Sequence, residues 1–146
     1  MDFEIIAEGL EFPEGPIAMP DGSVILVEIK RGTLTRCWKG RSEVIAKIGG
    51  GPNGAAFGPD GAVYVCNNGG FAWHDANGMT IPGNAADDYT TGRTERVDLN
   101  TGKVERVYEK IGGESIAEGL DDDFPDIAYG WLLTRLVVLV AGAGAM

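Results

Sequence analysis

Four short runs of branched apolar residues stand out along the first half of the chain: Phe3 to Ala7, Val24 to Val27, Val44 to Ile48 and Ala62 to Cys66. Each is bounded by Gly, Pro or Asp, the pattern of short strands separated by tight turns. Val24-Ile25-Leu26-Val27 shows no polar alternation, which predicts a strand covered on both faces by neighbouring sheets. Pro20-Asp21-Gly22 and Pro59-Asp60-Gly61 mark turns, because Pro pre-sets φ, Asp bonds the backbone and Gly takes the positive φ. No stretch has the apolar spacing of a long amphipathic helix, so the fold class is all-β.

The pattern repeats. Pro13-Glu14-Gly15 returns as Pro52-Asn53-Gly54, and the Pro-Asp-Gly turn returns with it, each pair 39 positions apart. A second phrase, Gly32-Thr33-Leu34-Thr35-Arg36 with Lys47-Ile48-Gly49-Gly50, returns as Gly92-Arg93-Thr94-Glu95-Arg96 with Lys110-Ile111-Gly112-Gly113. Asp98 to Lys103, flanked by Val97 and Val104, reads as a hairpin turn. The unit is then an inner strand, a turn, a second strand and an outer hairpin. Four antiparallel strands in about 40 residues make a propeller blade. A partial β-propeller of two to three blades is expected. The second unit carries an insertion, Ala72 to Gly92, with Trp73, His74, Pro82, Asn84 and Asp87-Asp88; it reads as a loop on one face, either shaping a binding mouth or lying as plain polar surface.

After Gly113 the rhythm fails. Where a third Pro-x-Gly is due the chain has Gly119-Leu120-Asp121-Asp122, so Asp121 falls at the position of Glu14 and Asn53 without their framing residues. The expected division is 1–114 as propeller blades and 115–146 as a divergent apolar segment. Its last 20 residues hold one charge, Arg135. Leu136 to Met146 is too short for a membrane span, which needs ~20 apolar residues; an apolar strand-like end, or a sequence altered by a lesion in its gene, is expected instead.

Composition narrows the function classes. The 146 residues are 44% apolar and 23% charged, with 23 glycines that suit many turns. A net charge of −10 argues against a nucleic-acid partner, which needs clustered Lys and Arg. No membrane partner is expected. Cys37 and Cys66 lack metal-ligand spacing and lie in apolar stretches, as buried free thiols of a reducing compartment do. The start shows no secretory signal, so a cytoplasmic location is expected.

Several motifs dissolve on inspection. Gly49 to Gly54 satisfies G-x-G-x-x-G, but a strand follows rather than a helix and Pro52 sits in the loop. Asp121-Asp122-Asp123 lacks the glycine and distal Glu of a calcium-binding EF-hand loop. With one histidine and no G-x-S-x-G, serine triads and histidine-rich zinc sites are excluded within this chain. His74 beside Asp75 reads as a surface pair or as a base. Glu14 and Asn53 hold matching places in successive blades and should both face the propeller axis, joined by Asp121 if a third repeat folds. Converging carboxylate and amide oxygens suit calcium, or magnesium with retained waters. The alternative is that Pro-x-Gly is only the bend that starts each inner strand.

Leu10 to Pro16, Gly50 to Gly61 and Tyr64-Val65-Cys66-Asn67-Asn68-Gly69-Gly70 together resemble the senescence marker protein (regucalcin), gluconolactonase and luciferin-regenerating enzyme family, over about residues 1–114. The resemblance implies a six-bladed propeller with a divalent metal on its axis, calcium first and magnesium, manganese or zinc as alternatives. It implies hydrolysis of a small-molecule lactone or similar ester. Glu14 matches the family's first metal ligand, and Asn53 a pocket-lining position. Asn67 and His74 are taken as further pocket residues. Asp121 stands at best where the next ligand, an Asn of Gly-Pro-Asn-Asp, belongs. The remaining ligands and the general base come from later blades, so no catalytic residue is assigned. The expectation is the N-terminal portion of a metal-dependent sugar-lactone hydrolase, incomplete as an enzyme; the alternative is a non-catalytic partial propeller for binding or assembly, self-associating through open edges.

Overall fold

The computed structural model describes residues 4–111 and 114–115. The chain is all-β there. The first four strands, β1 (Pro13–Ala18), β2 (Val24–Glu28), β3 (Thr33–Trp38) and β4 (Arg41–Lys47), form one antiparallel meander in that order. Next come β5 (Pro52–Phe57), β6 (Val63–Asn67), an inserted hairpin of β7 (Phe71–Ala76) and β8 (Met79–Ala85), then β9 (Arg93–Val97) and β10 (Val104–Tyr108). Strands β5, β6, β9 and β10 make the second four-stranded sheet, while β7 and β8 pair only with each other. A short pair, β11 (Lys110–Ile111) and β12 (Glu114–Ser115), follows.

Each repeat builds its inner turn with the same bonds. Met19 N–H donates to Ser23 O and Gly22 N–H to Met19 O; Gly58 N–H donates to Ala62 O and Gly61 N–H to Gly58 O. Gly22 and Gly61 sit at φ +81 and +77, the conformation the Pro-Asp-Gly phrase requires. An arginine of the third strand clamps each turn. Arg36 reaches Asp21 Oδ2 at 2.6 Å and Ser23 Oγ at 2.9 Å, and Arg96 reaches Asp60 Oδ2 at 2.6 Å.

The two sheets stack face to face. Ile25, Val27, Leu34 and Ala46 of the first form one core with Val63, Val65 and Val97 of the second, each at most 5% exposed. Strand β2 is buried on both faces, as its unbroken apolar run predicts: Ile25 and Val27 face the second sheet, while Leu26 and Glu28 lie on the opposite face and are also buried. Two stacked meanders whose first strands lie side by side are adjacent blades of a β-propeller. The chain is thus a partial propeller with two blades among the described residues. Asp121 and the apolar segment 116–146 lie outside them.

Two expectations are corrected. Glu4 to Ala7 forms no strand; Gly40 N–H donates to Ile6 O at 2.9 Å, a single tie and too little for a ladder. The insertion is a hairpin, not a loop. Asn77 and Gly78 both take positive φ, 54 and 78, the two-residue turn whose twist matches that of flanking strands. Cys37 and Cys66 are buried thiols outside any disulfide, as expected, and burial pushes the Cys66 thiol up to about 12. Among the described residues no helix is long and apolar enough to cross a membrane.

Candidate functional site

The repeat brings its two copies into contact where the chemistry was expected. A Cβ built on Gly15 would lie 2.8 Å from Ala55 N and 3.0 Å from Gly54 Cα. Only glycine allows β1 and β5 to approach so closely, and the glycines that meet are the repeat-equivalent ones. Glu14 and Asn53 immediately precede them, on neighbouring strands. Each strand departs from regular pairing at this point: β1 between Glu14 and Ile17, β5 between Pro52 and Gly54. Such irregularities re-aim side chains. Glu14 is exposed and Asn53 half-buried. Among the described residues neither side chain has a hydrogen-bond or ion-pair partner.

Asn67 is placed differently from the expectation that it lines a pocket. Its side chain is fully buried. Oδ1 accepts the Gly51 and Gly69 N–H groups, both at 2.9 Å. Nδ2 donates to Gly49 O at 2.8 Å and to Glu95 Oε2 at 2.9 Å. An amide has two acceptor and two donor sites, and protein fills all four. Asn67 therefore ties down the Gly49–Gly51 turn before β5 and leaves nothing for a substrate. Glu95 in turn receives Arg93 Nε at 2.7 Å, an ion pair almost wholly out of water.

Sequence reasoning missed the counterpart of Asn67 in the first blade. Glu28 lies 39 positions earlier and is equally buried. Its Oε2 accepts the Glu11 N–H at 2.7 Å, and its Oε1 accepts Thr35 Oγ1 at 2.6 Å and Arg31 Nη1 at 3.1 Å. The available signal was the repeat itself: a charged residue closing an apolar run, in register with an asparagine that closes the next.

The inserted hairpin bridges the blades. Trp73 packs on Phe12 with ring centroids 4.9 Å apart and on Phe71 at 5.9 Å, while Lys30 Nζ lies 3.4 Å from Thr80 Oγ1. Phe12 takes φ 60, a conformation that costs a bulky residue. It is fixed by Ile29 N–H bonding its carbonyl at 2.9 Å and by the Trp73 ring. His74 is exposed, pairs across the hairpin with Ile81, and projects from the opposite face to Trp73. Thus the structure places Glu14 and Asn53 on neighbouring strands, each directly before one of the touching glycines, and places His74 on a face pointing away from the Phe12 contact.

Carboxylate and amide oxygens are the donor types a hard divalent cation takes. Among the described residues no group of three or more His, Cys, Asp or Glu stands ready to hold a metal. The turn Gly49–Gly51 leads into β5 rather than a helix, which removes the dinucleotide motif.

No protein-family model matches the chain, and no curated protein matches it. Among solved structures it is similar to the PQQ-bound form of an aldose sugar dehydrogenase from Streptomyces coelicolor, at 19% identity and a TM-score of 0.47, with 71% of this chain aligned to 32% of that one. The chain spans about a third of that protein's length, and nothing about substrate or cofactor follows from the likeness.

Proposed function

We propose that the chain forms two blades of a metal-dependent propeller hydrolase of the regucalcin and gluconolactonase kind, acting on sugar lactones or similar esters. The observation that carries this reading is the contact of Gly15 with Gly54, which sets Glu14 and Asn53 on adjacent inner strands with their oxygens unengaged. The resemblance of three separate motifs in order supports the family. A divalent cation bound there, calcium before magnesium, manganese or zinc, supplies polarisation of a lactone carbonyl. Glu14 would hold it through a carboxylate oxygen. Asn53 would add an amide oxygen, or turn its NH2 toward a substrate oxygen. The remaining donors and the general base belong to later blades by the same resemblance.

Calcium titration of thermal unfolding tests the reading. A ligand that binds only the folded state stabilises it by about 2.7 kcal/mol at one hundred times its Kd. The wild-type midpoint is expected to rise with calcium, and that of Glu14→Gln to stay level. A wild-type midpoint indifferent to millimolar calcium contradicts the proposal.

A further inference from the structure

The two blades solve one problem at the same place with different chemistry. Each inner strand begins after an irregular segment, Glu11–Phe12 before β1 and Gly49–Gly51 before β5. Each segment hangs from a fully buried side chain at the end of the second strand of its own blade: Glu28 holds the Glu11 N–H, and Asn67 holds the Gly51 N–H and the Gly49 carbonyl. The registers agree, since Glu28 pairs with Pro13 and Asn67 with Pro52, the residue directly before each candidate donor. The third strand completes the arrangement. Thr33 and Thr35 hydroxyls donate to Glu28, while at their places in the second blade Glu95 accepts from Asn67 Nδ2 and from Arg93 Nε. One buried carboxylate serves each blade, on the second strand in the first blade and on the third strand in the second, each paired with an arginine, Arg31 or Arg93.

A buried carboxylate or amide with every lone pair engaged is costly to misalign, so it fixes the backbone it holds. We propose that Glu28 and Asn67 are paired positioning residues that set the starts of β1 and β5 and thereby the separation of Glu14 and Asn53. They act through the backbone and touch no ligand. The inference rests on the metal-donor reading above for its functional consequence, but its structural half stands on its own.

Near-isosteric variants test it. Glu28→Gln puts an NH2 among groups that all donate, and Asn67→Asp sets a carboxylate against the Gly49 carbonyl and Glu95. Amide hydrogen exchange and calcium titration of the full chain are measured on each, with Asp21→Asn as a control that loosens the turn at the far end of the same hairpin. Glu28→Gln is expected to speed exchange at least tenfold at Glu11 and over residues 11–16, and Asn67→Asp over residues 51–56. Calcium affinity should fall about tenfold in both and stay within twofold in Asp21→Asn. If wild type binds calcium and both variants match it, the positioning role is overturned. If wild type binds no calcium while the exchange changes stay confined to those segments, the metal reading fails and the positioning of the strand starts survives. Exchange that quickens evenly over the whole blade overturns the inference. Should Glu28→Gln not fold, Thr35→Val removes one donor to the carboxylate and is expected to shift the same amides less; no shift at Glu11 would count against the proposal.

Discussion

Replacing Gly15 with alanine examines the blade contact at its tightest point. Two costs combine. Gly15 sits at φ 55, where an L-residue loses roughly 1–2 kcal/mol. The new methyl would also lie 2.8 Å from Ala55 N and 3.0 Å from Gly54 Cα, backbone atoms that cannot rotate aside. Overpacking of this kind costs about 1–3 kcal/mol, for a total of about 2–5 kcal/mol. Gly22→Ala supplies the reference, because Gly22 has φ 81 and nothing within 4 Å of the added methyl. It should lose only the conformational part. Urea unfolding of both variants therefore isolates the inter-blade clash as a difference of about 1–3 kcal/mol. With an m-value of about 2 kcal/mol/M, the midpoint of Gly15→Ala should fall about 0.5–1.5 M below that of Gly22→Ala. Equal midpoints would refute the claim that the equivalent glycines of the two blades are in backbone contact.

Three further outcomes are expected. Cys37 and Cys66 should resist a thiol reagent at pH 8 until denaturant is added, since burial raises both. Because native Cys66 keeps its proton toward pH 12 while the unfolded thiol loses it near 9.0, its contribution is present below pH 9 and is lost as pH rises above it, so the urea midpoint should drop in that range; rapid native labelling would contradict this. The Ser23 hydroxyl and amide, with Arg36 behind them, hold Asp21 below the ordinary 3.8, so its stabilisation is present above that value and disappears as pH falls through the native one; Ser23→Ala should raise the Asp21 titration midpoint in carbon-13 carboxyl NMR, and an unchanged midpoint would refute the assignment. Trp73→Ala removes its aromatic contacts with Phe12 and Phe71, each worth about 0.5–1.5 kcal/mol, and should quicken amide exchange in β7 and β8 with little change in the global midpoint; a large global loss would mean the hairpin is integral to the blade core.

The elements legible in the sequence are those whose pattern is local. The Pro-Asp-Gly turns, the unbroken β2 run and the hairpin turn at Asp98 to Lys103 each carry their own backbone chemistry, and all appear where the residues place them. Glu4 to Ala7, within a run that has the composition of a strand, forms none, because a strand also needs a neighbour, which composition does not reveal. The β7–β8 hairpin was obscured by its polar content, although Asn77-Gly78 is a strong turn signal. The roles of Glu28 and Asn67 in holding backbone were not legible, for one reason. A polar residue at a strand end is usually solvated, and only the fold shows backbone groups converging on both from a segment earlier in the chain. The approach of β1 to β5 at Gly15 and Gly54 was readable from the 39-residue offset, because equivalent positions of stacked repeats must be neighbours.

The central claim is that Glu14 and Asn53 serve one divalent cation, and a double-mutant cycle in calcium affinity addresses it directly. Glu14→Gln and Asn53→Ala should each weaken binding, the former about tenfold or 1.4 kcal/mol. Groups that share an ion couple, so the double variant should lose less than the summed single losses, by about 0.5–3 kcal/mol. Strictly additive losses, or single variants that bind calcium as wild type does, would contradict a shared site.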